Sequence, residues 1–161
     1  LESLIYSVFV SALIVITFID IDYQIIPDVI SLPGIGAGFL ASLILIVPGI
    51  VASLVGILLG GGLLFLVASC YYLLTGKEGM GGGDIKLLAM IGAFLGWRGV
   101  IVTVFAGAFI GAVLGTLLMV MKGRDSRYAI PFGPFLSLGA VIYLFVGETL
   151  IDLYMTGLWQ R

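Results

Sequence analysis

No histidine stands anywhere among the 161 residues, which removes Ser-His and Cys-His nucleophiles and every histidine-ligated metal centre. The one cysteine, Cys70, can form neither an internal disulfide nor a cysteine zinc cluster. Its setting in an apolar run reads as a small buried hydrophobe. Charge is also scarce: 10% of residues, against roughly 25% in ordinary soluble domains. The seven basic residues are scattered and the net charge is −2, so nucleic acid is not an expected partner. In place of these groups, 61% of the chain is hydrophobic and the mean hydropathy is +1.30, the profile of an integral membrane protein that partners the lipid bilayer.

The apolar residues fall into six runs, covering residues 4–19, 29–47, 50–74, 85–97, 100–121 and about 132–146. Five of them approach or exceed the ~17–25 residues that cross a bilayer as a helix. The expected fold is all-α and polytopic, a single domain over residues 1–161 with about six transmembrane helices. Asp20 closes the first run, Pro48-Gly49 separates the second from the third, and Arg98-Gly99 separates the fourth from the fifth. The tail, 148–161, reads as an amphipathic interfacial piece. The chain begins at Leu1 without methionine, which leaves room for an upstream part. The first run has no basic leader or small-residue cleavage site and is not read as a signal peptide.

The fourth run is short and follows Gly79-Met80-Gly81-Gly82-Gly83-Asp84. At 1.5 Å per residue it spans roughly 20 Å, less than the hydrocarbon core. Asp84 is therefore expected below the membrane surface, in a sheltered and partly wet cavity where irregular backbone is tolerated. Gly107, Gly111 and Gly115 recur every fourth residue and predict close helix packing. Gly34, Gly36 and Gly38 have neither the preceding strand nor the spacing of a nucleotide loop and read as helix kinking or packing.

With six crossings, the loops after the first, third and fifth runs share a side. That side holds Lys77, Lys86, Lys122, Arg124 and Arg127, against Arg98 and Arg161 opposite. Five against two places it in the cytoplasm. Asp84 then shares the cytoplasmic face with Asp20, Asp22 and Asp28. Two aspartates held close at low dielectric share a proton and titrate as a pair. The ionised member takes a proton from water while the protonated one polarises a carbonyl. Asp20 lies deepest and is the expected partner of Asp84. Asp22 points to another side of the helix, and Asp28, after Pro27, is placed to cap the second helix. The competing chemistry is a Mg²⁺-dependent membrane transferase using Asp20, Asp22 and Asp28. The plainest alternatives are acids that only cap helices, or a transporter.

The run Phe18-Ile19-Asp20-Ile21-Asp22-Tyr23-Gln24-Ile25-Ile26-Pro27-Asp28 resembles the first aspartate motif of bacterial type IV prepilin peptidases. Gly79-Met80-Gly81-Gly82-Gly83-Asp84-Ile85-Lys86 is similar to their second, which contains the Gly-x-Gly-Asp signature of intramembrane aspartyl proteases. Pro131-Phe132-Gly133-Pro134-Phe135-Leu136 resembles a third recurrent patch. The resemblance implies a multi-pass endopeptidase of the bacterial inner membrane with its active site facing the cytoplasm. Such an enzyme needs no cofactor or metal and removes the basic leader of type IV prepilins and of type II secretion pseudopilins. Cleavage would follow a glycine and precede an apolar helix. It further implies that Asp20 and Asp84 are catalytic, and that Asp22, Asp28, Gly81, Gly83 and Lys86 support the site or bind substrate. Many members carry an N-terminal four-cysteine zinc region tied to methylation; nothing in these residues corresponds to it.

Overall fold

A computed structural model of the chain describes residues 1–45, 47–76, 81–122 and 131–159. These form five helices: α1 (Glu2–Tyr23), α2 (Asp28–Ala41), α3 (Gly49–Thr75), α4 (Gly82–Lys122) and α5 (Gly133–Trp159). Among the described residues there is no strand. Three helices are long and apolar enough to cross a membrane: Glu2–Tyr23, Gly49–Thr75 and the stretch Gly82–Leu117.

Two of the six apolar runs are joined in α4, and the joint lies at Gly96. There φ is 70° and ψ −178°, a combination essentially reserved for glycine. The break therefore precedes Arg98-Gly99, which belong to the second arm of α4. Interhelical contacts show that the chain reverses here. On the first arm, Gly92 meets Gly56 and Leu88 meets Gly60, so this arm runs antiparallel to α3. On the second arm, Gly99 meets Tyr143, Thr103 meets Gly139 and Gly107 meets Phe135, so it runs antiparallel to α5. The second arm of α4 thus returns to the end of the bundle from which the first arm starts. The 14 residues of α2 span about 21 Å.

The first arm of α4 is the centre of the molecule, with residues 87–96 all buried. A helix apolar on every side suits that position. Close approach to α3 depends on small residues. Ser53, Gly56 and Gly60 are its buried face, and a methyl group on Gly56 would strike the backbone of Gly92. Ser53 Oγ donates a 2.7 Å hydrogen bond to the Ala93 carbonyl, in the last turn before the break at Gly96. Gly34 and Gly38 admit Met90 and Phe94, so packing is the role of those two glycines, while Gly36 faces open space. Gly107 and Gly111 lie against Phe135, as their spacing predicts.

The stripe Phe9, Leu13 and Ile16 on α1 joins Leu87, Met90, Ile91 and Phe94 in the core, with Phe9 stacked on Phe94 at 4.5 Å. At the end of the bundle where α1 begins, Tyr6 Oη donates to the Val47 carbonyl at 3.0 Å. The outer surface carries Val8, Phe65, Leu73, Phe105 and many other exposed large hydrophobics, which water would not tolerate and lipid does.

One expectation changes. Cys70 is exposed on α3, because its position faces away from the small-residue stripe. The tail from residue 148 continues α5 as helix to Trp159. Of the basic residues behind the side assignment, Lys86 and Arg98 have described side chains, and Arg98 lies 5.4 Å from the Trp97 ring.

Candidate active site

Four helix ends meet at one end of the bundle: the last turn of α1 and the first turns of α2, α4 and α5. Asp20 continues the buried stripe of α1, at the helical spacing set by Phe9, Leu13 and Ile16. Only 5% of its surface is exposed. An anion in the last turn of a helix opposes that helix's own dipole, so it needs support from elsewhere. The support is the start of α5. The Gly133 amide donates a 3.0 Å hydrogen bond to Asp20 Oδ2, and it is one of the N–H groups a helix cannot satisfy internally. Asp20 thus caps a helix 113 residues away in sequence.

Asp84 stands in the first turn of α4, partly buried, with its amide 3.3 Å from the Gly81 carbonyl. Gly83, next to Asp84, packs on Ile26, which also packs on the Gly133 that binds Asp20, so both aspartates stand at the same end of the bundle. No hydrogen bond to the Asp84 side chain occurs among the described residues, so one carboxylate is held by an amide and the other is not.

Ile26 sets the spacing of this cluster. It is buried between two glycines, and a methyl group on Gly83 would come 2.8 Å from its Cβ. A methyl group on Gly133 would come 3.2 Å from its Cδ1 and 2.5 Å from Asp20 Oδ2. Gly83 therefore matters as close packing, as the glycine run predicts. A methyl on Gly81 or Gly82 would meet nothing within 4 Å, so close approach does not explain those two. Gly79 and Met80 lie outside the described residues.

The other acids separate from the pair. Asp22 is exposed, pointing away from the buried stripe. Asp28 is the first residue of α2, but Pro27 takes the N-cap position and no side chain caps the helix. Instead Lys86 Nζ donates to both Asp28 oxygens at 2.7 Å, which ties the start of α2 to the first turn of α4. Among the described residues no three carboxylates come together to hold a metal ion, so Asp20, Asp22 and Asp28 do not form the Mg²⁺ cluster that the transferase reading requires.

Asp20 and Asp84, one from each of the two aspartate motifs, stand at the same end of the bundle. A profile described as "Type IV leader peptidase family" matches residues 7–116, more than half of the chain and both aspartates. The chain belongs to that family. It is 35% identical over 144 residues to a prepilin leader peptidase/N-methyltransferase of Aeromonas hydrophila, covering 89% of this chain and 50% of that protein. A protein of the same description from Pseudomonas aeruginosa is 36% identical over 143 residues, covering 89% and 49%. The Legionella pneumophila counterpart is 35% identical over 151 residues, covering 92% and 51%. The chain thus spans about half the length of the curated relatives it matches. No solved structure matches significantly.

In this leader peptidase family member, Gly133 is the site residue that sequence reasoning left without a role. It lies in the Pro131–Leu136 patch, beyond the segment matched by the family profile. A glycine preceding Pro134 at the start of an apolar run was the available signal. Nothing in sequence ties it to Asp20.

Proposed function

We propose that the chain is a membrane-embedded aspartic endopeptidase that cleaves the leader of type IV prepilins, and of type II secretion pseudopilins, after a glycine. The observation that supports this reading is that buried Asp20 and the first turn of α4, which carries Asp84, converge on Ile26 and Gly133 in a chain of the leader peptidase family. Asp20 and Asp84 act as one water-activating pair. The ionised member removes a proton from water as its oxygen attacks the scissile carbonyl carbon. The protonated member gives its proton to the carbonyl oxygen, yielding a neutral gem-diol. The diol returns a proton as the C–N bond breaks, and the leaving nitrogen receives the proton first taken from water. No covalent enzyme intermediate forms.

The Gly133 amide holds the Asp20 carboxylate in place at the start of α5. The site faces the cytoplasm of a bacterial inner membrane, a reading supported by the five-to-two distribution of basic residues. The substrate's apolar helix lies in the bilayer, and its basic leader meets the acidic end of the bundle. Asp22 is the exposed acid there, while Asp28 is engaged by Lys86. Normal leader processing by Asp22→Asn combined with Asp28→Asn would remove the leader-attraction role. The methyltransferase activity in the relatives' names is not extended to these residues.

The test is cleavage of a purified prepilin in detergent by Asp20→Asn and Asp84→Asn, with and without a chelator. Each substitution should lower the rate by about 10²–10⁴, and chelation should have no effect. Near-normal cleavage by either variant would sink the pair, and loss on chelation with recovery by Mg²⁺ would favour metal chemistry.

A further inference from the structure

At the end of the bundle opposite Asp20 and Asp84, a groove of about 400 Å³ lies beside the reversal at Gly96. Ile50, Val51 and Val55 of α3 form one wall, and Trp97, just past the break in α4, forms the other. Pro48 and Ala52 complete the lining, and these are the two residues that a methyl group on Gly96 would meet. The packed joint therefore fixes the groove's shape. No charged side chain stands in the lining.

The charge lies at its edge. Arg98 is exposed, and its guanidinium carbon is 5.4 Å from the centroid of the Trp97 ring that lines the groove. Contact with a ring face leaves the N–H groups in the guanidinium plane open to an acceptor. Among the described residues no carboxylate pairs with Arg98, Glu2 at the start of α1 included. Tyr6, whose hydroxyl bonds the Val47 carbonyl, stands at this same end. Tyrosine and tryptophan at the ends of membrane-length helices mark the headgroup level of a bilayer.

A ligand that satisfies both features carries an apolar chain and an anion, and at headgroup level the solvent itself consists of such molecules. The planar guanidinium fork matches phosphate oxygens two at a time. We propose that this site holds an anionic phospholipid, with its phosphate on Arg98 and an acyl chain in the groove between Trp97 and the start of α3. A soluble anion would gain nothing from the apolar walls. A zwitterionic headgroup would bring an ammonium that Arg98 repels. The site is independent of the chemistry at Asp20 and Asp84.

The test uses the fluorescence of Trp97 in the full chain carrying Trp159→Phe, which leaves one tryptophan. The protein is reconstituted in phosphatidylcholine vesicles containing increasing fractions of phosphatidylglycerol brominated in its acyl chains, which quench a tryptophan they touch. Brominated phosphatidylcholine is the reference. Half-maximal quenching by phosphatidylglycerol should need about one-fifth of the reference fraction, the effect of one basic residue at an anionic surface. Arg98→Gln should bring the two curves together, and Arg98→Lys should keep part of the difference. Val55→Phe, which fills the groove from an exposed position, should remove the preference with the charge still in place. Coincident curves before any change at Arg98 would overturn the site. So would an undiminished preference in Arg98→Gln, which would assign it to charge elsewhere. A preference that survives Val55→Phe would overturn the groove as the acyl-chain site. Inorganic phosphate should weaken the preference no more than chloride of equal ionic strength; a selective loss would assign Arg98 to a soluble anion and overturn the lipid.

Discussion

Replacing Gly133 by alanine tests the site at its least conspicuous point. The added methyl would lie 2.5 Å from Asp20 Oδ2, 3.2 Å from its Cγ and 3.2 Å from Ile26 Cδ1. A carbon and an oxygen not bonded to each other sit roughly 3.5 Å apart at ease, so the carboxylate or the start of α5 must move by about 1 Å. Either movement lengthens the 3.0 Å bond from the Gly133 amide. Loss of a hydrogen bond to a charged group removes ~1.5–3 kcal/mol, and each ~1.4 kcal/mol is a tenfold change. A 1 Å misplacement of a catalytic group is itself able to cost about a hundredfold. The expected result is a fall in kcat/KM for prepilin cleavage of roughly 10²-fold, carried mainly by kcat, because the change acts through the position of Asp20. The control is Gly36→Ala, where an added methyl meets nothing within 4 Å on a helix surface. That change should leave cleavage intact and favour the helix by ~0.5–1 kcal/mol. If Gly133→Ala cleaves within threefold of the wild type (a change below ~1 kcal/mol), the amide does not position Asp20 and the assignment fails.

Three further outcomes follow from the packing. The Asp28–Lys86 pair is partly exposed, so Asp28→Lys and Lys86→Asp should each destabilise by no more than ~1 kcal/mol; the double swap should recover part of the cleavage lost by the single changes, and no recovery would show that the pair does not align α2 with α4. Gly56→Ala drives a methyl into the Gly92 backbone, which cannot yield as a side chain can, and should lower stability by ~3 kcal/mol or more in thermal unfolding. Gly96→Ala should be more damaging than Gly76→Ala. Both glycines have positive φ, but a methyl at Gly96 also meets Pro48 Cβ at 2.8 Å, whereas Gly76 faces open space; equal melting temperatures for the two variants would refute the reversal at Gly96 as a packed joint.

The all-helical architecture with membrane-length helices, and the placement of Asp20 and Asp84 at one end of the bundle, were legible in the chain alone. Six apolar runs leave no other economical way to satisfy backbone groups in lipid. With histidine absent and cysteine single, carboxylates were the remaining catalytic groups, and two motifs in order singled out a pair of them. The separation of Asp20 from Asp22 was also readable, because helical periodicity turns residues two apart to different sides.

What sequence could not supply were partners separated by long stretches of chain. Asp28 read as a helix cap because it follows a proline, yet it engages Lys86 58 residues away. Gly96 and Gly99 are both glycines near the end of the fourth run; only the packing of Pro48 and Ala52 against the former decides which one turns the chain. Gly133 carries no local mark of its role either. Its amide is free because it begins a helix, and it finds Asp20 because Ile26 wedges between Gly83 and Gly133 and sets their spacing. Local chemistry thus determined which residues were able to react. Helix packing decided which of them meet, since a hydrogen bond needs positions within a few tenths of an ångström and only interdigitated side chains set distances that finely.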